Sequence, residues 1–370
     1  MKKILYLFDA GDWDSRMAVA HAAQAKGFEI VIGLINGDQA AADRAPEFRI
    51  VSIEKSKNDI GIFSSLRMIN AIKELIKQEK PDIIHSVTLK YGFLTGISAI
   101  SYKNIKKIYT LAGLGYLFRS HSTKSLLLRA VLKVFLTFIL RRQNTMLIFQ
   151  NIDDLELMVA RHYATQAQSV LIKGSGVYLD RFTPNPSGEE AHPIVLMPTR
   201  LVHEKGVSVF VEAARILKSR GIEARFQIAG GETKHNPKAI SKQEMEDMVQ
   251  DGAAEWLGRV EGMPALLSQA TLIVYPSYYG EGIPRVLLES CAAGRAIVTT
   301  DHPGCREAVA HGVNGLLVPV KDAHATADAI EALLRNAGTR HEMEKQSRIR
   351  AEEQFDIHLI AEKTVNLYSA

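Results

Sequence analysis

Cysteine is almost missing from this chain. Its 370 residues hold only Cys291 and Cys305, with thirteen residues between them. Two thiols build neither a disulfide framework nor a four-ligand zinc site, which excludes a secreted cystine scaffold and points to a reducing compartment. Long apolar runs are missing too. No stretch of about eighteen uncharged apolar residues exists, so the sequence offers no transmembrane helix. The opening Met1-Lys2-Lys3, followed by Ile4 to Phe8, imitates a signal peptide. Asp9, Asp12 and Asp14 end that apolar run after five residues, so it reads instead as a first buried strand. No G-x-G-x-x-G follows a strand, which argues against a nicotinamide oxidoreductase.

Acidic residues are missing from one long stretch. None stands between Asp82 and Asp153, where ten Lys and Arg fall. Residues 1–185 carry 25 Lys/Arg against 16 Asp/Glu and the remainder 20 against 25, so the net charge of +4 conceals a basic first half and an acidic second half. A stretch this basic belongs beside something anionic. At its centre is the segment 124–142. Arg129 and Lys133 are four apart there, with Ser125 and Thr137 on the same stripe, so a narrow polar edge borders a broad apolar face. One reading is a buried helix of an α/β domain with a solvated edge. The other is an interfacial helix resting on anionic lipid. There Lys124, Arg129, Lys133, Arg141 and Arg142 would each add about 1 kcal/mol. Nucleic acid is not the expected partner, because the aromatics are not interleaved with the basic residues as a stacking platform requires.

What is present is the balance of an ordinary globular protein, 46% apolar and 23% charged. At roughly one to two hundred residues per domain, the length points to two domains. Apolar runs without alternation at 3–8, 29–35, 49–53, 82–87, 108–112, 145–149 and 169–172 predict strands buried on both faces. Helical spacing at 15–26 and 63–78 supplies their covers. Residues 184–193 carry three prolines and no bulky apolar side chain, a linker. The pattern then restarts, with strands at 194–198, 226–229, 272–275 and 296–299 and helices at 207–220, 283–293 and 322–335. The fold class is therefore α/β, two doubly wound parallel-sheet (Rossmann-like) domains facing across a cleft. They span residues 1–183 and 194–340, and a helix within 341–370 is expected to cross back to the first. Ligands in such sheets bind beyond the carboxyl ends of the strands.

Two loops carry chemistry at such ends. Arg200-Leu-Val-His-Glu-Lys205-Gly206 follows the second domain's first strand, and puts two cations where a phosphate would sit beside a helix start. A solvated loop with Lys205 paired to Glu204 is the plainer reading. Tyr279-Gly-Glu281-Gly282-Ile283-Pro-Arg285-Val-Leu-Leu-Glu289 is a Gly-rich loop entering a helix at Pro284. A carboxylate there can accept two hydroxyl hydrogen bonds, as proteins do when holding sugars. Two ordinary surface acids would also satisfy the spacing.

Together these residues resemble glycosyltransferase family 4, the retaining nucleotide-sugar transferases of the GT-B fold. Ile228-Ala-Gly230-Gly231, Tyr275-Pro-Ser277, Asp301-His-Pro-Gly304 with Glu307, and Asn314-Gly-Leu-Leu-Val-Pro319 extend the resemblance over nearly the whole second domain. It implies that Arg200 and Lys205 bind the donor diphosphate and stabilise the departing nucleoside diphosphate, with no metal and no cofactor. Glu289 would hold the ribose and Glu281 the donor sugar. Gly230 and the backbone at Gly282, Ile283 and Arg285 would face phosphate and sugar. Asp12-Trp-Asp14 has the metal spacing of the other transferase fold, but it directly follows the first strand, the wrong place for that use.

The first domain departs from the family pattern in two places. Gly11-Asp-Trp-Asp-Ser-Arg16 stands where phosphate-binding glycines are frequent, and Ala112 where a histidine is frequent. His85-Ser-Val-Thr-Leu-Lys90 and Gly113-Leu-Gly-Tyr-Leu-Phe118 resemble the branch that extends undecaprenyl-diphosphate-linked sugars. The implied partners are a nucleotide sugar, with UDP as its carrier, and a polyprenyl-diphosphate-linked saccharide. Arg16, His85, Lys90 and Arg119 are the candidates for meeting that acceptor. The implied location is the cytoplasmic face of the inner membrane. A nucleotide-sugar epimerase of the same fold and an inactive scaffold of a glycan-assembly complex are the alternatives.

Overall fold

The computed structural model describes residues 1–37, 43–53, 62–114, 133–185, 192–233, 236 and 238–369. The chain forms two units. The first is Met1–Gly176 together with Ile357–Ala370, and the second is Val177–Asp356.

The first unit is built on seven parallel strands: β1 Lys3–Asp9, β2 Glu29–Ile35, β3 Arg49–Ile53, β4 Ile83–Val87, β5 Lys106–Leu111, β6 Thr145–Phe149 and β7 Ser169–Leu171. Their order is β3-β2-β1-β4-β5-β6-β7. The register runs from Lys3 opposite Glu29 to Asp9 opposite Ile35, and sets Tyr6 opposite His85. The central strands are apolar throughout because both faces are covered. On one face the helices Ile62–Glu79 and Leu89–Ser98 bury Met68, Ile72, Leu75, Ile76 and Leu94 against Leu5, Leu7 and Val31. The helix Leu89–Ser98 carries two glycines, a composition that hides it in the sequence. A Cβ on Gly96 would lie 2.1 Å from the Ile139 side chain, and one on Gly92 3.3 Å from Tyr109. Close packing of helix on helix and helix on strand requires them. The helices Trp13–Ala25 and Ile357–Ser369 pack on each other, burying Ala20, Ala23, Ile360, Ala361 and Val365.

The second unit holds six parallel strands: β8 Ile194–Pro198, β9 Arg225–Ala229, β10 Glu255–Trp256, β11 Leu272–Tyr275, β12 Ile297–Thr300 and β13 Gly315–Val318. They are ordered β10-β9-β8-β11-β12-β13. The helix Val207–Ser219 buries Val207, Phe210, Val211 and Leu217 in a core shared with Val195, Met197 and Ile228. Each such side chain taken fully from water contributes about 1.5–3 kcal/mol. In both sheets the strand order reverses beside the first strand, between β1 and β4 and between β8 and β11. These are the switch points where doubly wound sheets open a crevice at their carboxyl ends.

The units divide at Gly176/Val177, ahead of the proline-rich stretch that begins at residue 184. Val177, Leu179 and Phe182 are apolar and pack into the second unit's core with Leu196 and Ile273, so they belong to it. The second division falls at 356/357 rather than near 341. The helix Ala337–Arg350 continues the second unit, a π-helical turn Ala351–Phe355 follows, and only Ile357–Ser369 joins the first unit.

Candidate active site

The second unit's switch point gathers the residues of both loops. After β8 the chain makes a 3-10 turn at His203–Lys205, and Gly206 at φ 82° starts the next helix. A Cβ on Gly206 would sit 2.2 Å from the Pro276 carbonyl oxygen, so only glycine lets the β8 loop touch the β11 loop this closely. Further bonds lock the two together. The Tyr278 N–H donates to the Glu204 carbonyl at 2.9 Å, and Ser277 Oγ donates to the same carbonyl at 3.3 Å. Gly304, at φ 86°, serves the other side: a Cβ there would lie 1.8 Å from the Gly282 oxygen. Gly230 at the end of β9 abuts the Thr199 carbonyl in the same way, with 1.6 Å left for a Cβ.

Lys205 is the centre of this arrangement. It is 2% exposed, and its Nζ forms an ion pair with Glu281 Oε1. The ammonium stands 5.3 Å from the ring centroid of Tyr275 and 4.7 Å from that of Tyr279, within cation–π range of both. The Tyr275 hydroxyl donates to the same Glu281 oxygen at 3.3 Å. Burial lowers the Lys205 pKa, Glu281 raises it by charge and hydrogen bond, and the exposed Arg200 nearby lowers it again. The plainer sequence reading paired Lys205 with Glu204, but Glu204 instead takes Lys238. Cys305, also buried here, has its thiol pushed up to about 11 by desolvation, which makes it an inert neutral group.

Glu289 is half-buried near the middle of the helix that follows the glycine-rich loop. Its side chain is 15% exposed and accepts from Arg285 Nε at 2.9 Å, one turn back on the helix Arg285–Ala292. Ile283 is buried in the loop that enters this helix. Sequence reasoning brought together Arg200, Lys205, Glu281 and Glu289 but gave no part to Tyr275 or Tyr279, whose rings flank the lysine. Tyr275 ends an apolar strand, where an aromatic reads as core.

The first unit's switch point is different in character. Asp9, at the end of β1, accepts from Gly11 N at 3.0 Å and from the Tyr91 hydroxyl at 3.2 Å. Thr88, after β4, is held at φ 80° and ψ 151°, a region that residues other than glycine rarely adopt. Lys90 is exposed, 5.7 Å above the Tyr91 ring. Arg16 is buried, 3.8 Å from Asp12. His85, expected to meet an acceptor, is an interior residue. It is 1% exposed and stacks on Tyr6 at 4.8 Å. Its Nδ1 lies 2.7 Å from the Tyr368 hydroxyl and its Nε2 2.8 Å from the Thr110 hydroxyl. Hydroxyls donate or accept, so a neutral ring is satisfied in either tautomer. Desolvation, then the charge of Arg16, lowers its pKa to about 3. Arg119 and residues 124–132 of the basic segment lie outside the described residues. Its described part is a helix over 133–140.

Comparisons with known proteins bear on the family and the fold. Residues 181–350 match the family Glycosyl transferases group 1, and residues 3–151 match Glycosyl transferase 4-like. An N,N'-diacetylbacillosaminyl-diphospho-undecaprenol alpha-1,3-N-acetylgalactosaminyltransferase from Campylobacter jejuni is 28% identical, over 95% of this chain and 94% of its own. Among solved structures, a sucrose-phosphate synthase from Thermosynechococcus elongatus superposes with a TM-score of 0.81 at 21% identity, covering 100% of this chain and 98% of that one. HepE of Anabaena, in complex with UDP-glucose, superposes with a TM-score of 0.79 at 17% identity over 100% of both chains. With a 4-like domain before a group 1 domain, each on its own parallel sheet, the chain belongs to the GT-B glycosyltransferases.

Proposed function

We propose that this glycosyltransferase moves an N-acetylhexosamine or hexose from a UDP-sugar onto a polyprenyl-diphosphate-linked saccharide in O-antigen, capsule or protein-glycan assembly. Transfer retains the anomeric configuration and needs no metal ion. The observation that carries this reading is the cationic site at the β8–β11 switch point, a buried Lys205 with an exposed Arg200 beside it. Charge fixed there meets the negative charge that develops on a departing nucleoside diphosphate, and preorganised charge of this kind is commonly the largest catalytic contribution. Support for the acceptor comes from the Campylobacter relative, whose name places its activity on a diphospho-undecaprenol-linked sugar. The UDP-glucose complex of HepE supports the donor class.

Arg200→Ala and Lys205→Ala test the leaving-group role. Each is expected to lower turnover at least tenfold, about 1.4 kcal/mol of transition-state stabilisation. Undiminished turnover in both would contradict it.

The same reading places the protein on the cytoplasmic face of the inner membrane. Val134, Phe135 and Phe138 on the helix over 133–140 are 71%, 58% and 54% exposed, while Leu136, Ile139 and Leu140 on its other side are buried. Lys133 and Arg141 are exposed around them. A helix with one apolar side in the core and a second, cation-flanked apolar side facing out fits an anionic lipid surface. No helix among the described residues is long and apolar enough to cross a membrane.

A further inference from the structure

Glu281 and the donor diphosphate have the same chemistry to offer Lys205: negatively charged oxygen delivered to one buried ammonium. We infer that Glu281, braced by Tyr275, holds Lys205 as a stand-in for phosphate and surrenders it when the donor diphosphate binds. The inference rests on the diphosphate role proposed for Lys205 and goes beyond it, because it makes phosphate binding the event that releases Glu281.

Three observations carry it. First, the ion pair is intramolecular and joins two loops from opposite sides of the switch point, so the carboxylate lies where a ligand bound to Lys205 would lie. Second, the lysine cannot turn to water for compensation. Its side chain is 3% exposed, and the rings of Tyr275 and Tyr279 flank the ammonium. Third, Glu281 is better placed to leave than Lys205 is. Its side chain is 23% exposed, and it sits in the loop Gly280-Glu281-Gly282, with glycine on each side. The charges acting on Lys205 are Glu281 and Arg200, the buried Cys305 thiol being neutral. Glu281 is the stronger of these and favours the ammonium. Burial and Arg200 oppose it. A buried lysine stripped of its counter-charge loses its proton more readily. Glu281 therefore keeps Lys205 charged until a diphosphate assumes that task.

Calorimetric titration with UDP at pH 8, repeated in buffers of different ionisation enthalpy, reads the number of protons taken up on binding. At that pH the nucleotide is already fully ionised, so uptake reports the protein. The wild type is expected to take up less than about 0.2 proton, and Glu281→Gln at least threefold more, because its Lys205 must be recharged as the phosphate arrives. Glu281→Asp keeps the carboxylate and is expected to show no more than half the Gln variant's uptake. Equal uptake by wild type and Glu281→Gln would overturn the exchange, as would a full proton taken up by the wild type. GDP and TDP serve as alternative probes. Binding of one of these in place of UDP would overturn the uridine assignment and leave the exchange to be read from proton uptake with that nucleotide. If none of the three binds, both the exchange and the diphosphate role of Lys205 fall.

Discussion

A histidine whose two ring nitrogens both meet hydroxyl groups, inside a parallel sheet and its cover, resists protonation. Burial, then the Arg16 charge, lowers the His85 pKa to about 3 in the folded protein against 6.5 for a solvated imidazole. Between these values the unfolded chain binds the proton that the folded chain refuses, so stability rises with pH through this window and falls as acid is added. At 1.36 kcal/mol per unit, lowering the pH from 7.5 to 5.0 is expected to remove about 2 kcal/mol through this one residue. Chemical unfolding at the two pH values checks it: His85→Gln should lose correspondingly less over the same interval. Equal losses would show that His85 is not the group responsible. The same residue shows where sequence reading stops. A polar side chain in an apolar strand signals something specific, but its partners Thr110 and Tyr368 are 25 and 283 positions away. Nothing local tells a satisfied interior histidine from a ligand-facing one. Arg200, Lys205 and Glu281 were singled out by the resemblance of their two loops to glycosyltransferase family 4, whereas their spacing alone left a solvated loop and ordinary surface acids open. Tyr275 was given no part, since an aromatic at a strand end is ordinarily core.

Among the elements, strands buried on both faces were readable to within two residues, as at 29–35, 194–198 and 272–275. Burial on both faces leaves no ambiguity of pattern. Helices whose packing needs small residues were not readable, and Leu89–Ser98 with Gly92 and Gly96 is the clearest case. The continuous final helix expected within 341–368 is two helices, interrupted by the π-helical turn Ala351–Phe355. Phe355 and Ala351 are fully buried in the second unit's core, and Ile357 two residues later in the first unit. The helix over 133–140 carries a prediction of its own. Replacing both Phe135 and Phe138 by Ser is expected to weaken binding to anionic vesicles at least tenfold, because burying each ring is worth about 1.5–3 kcal/mol. Both side chains are exposed, so thermal stability should hold. Unchanged vesicle binding would remove this face from the membrane account.

For the molecule as a whole, two repeats of one sheet architecture divide the chemistry between them. The second unit gathers a buried lysine and an exposed arginine at its switch point, where we propose the donor diphosphate binds. The first offers a basic surface, an exposed apolar face and an interior polar cluster. The two-domain plan was visible because the strand–helix pattern halts at the prolines and restarts. The true divisions at 176/177 and 356/357 were not, since there the chain changes unit without changing composition. The central claim is acceptor-dependent transfer, and one assay tests it most directly. Purified protein is given UDP-, GDP- and TDP-sugars with undecaprenyl-diphosphate-linked saccharides, with and without EDTA, and both nucleotide release and the lipid product are followed. The account predicts release from a UDP-sugar only when lipid acceptor is present, undiminished by EDTA, with one sugar added in the donor's anomeric configuration. Isomerised or hydrolysed donor in the absence of acceptor would contradict it in favour of an epimerase, and no reaction with any donor would favour an inactive scaffold.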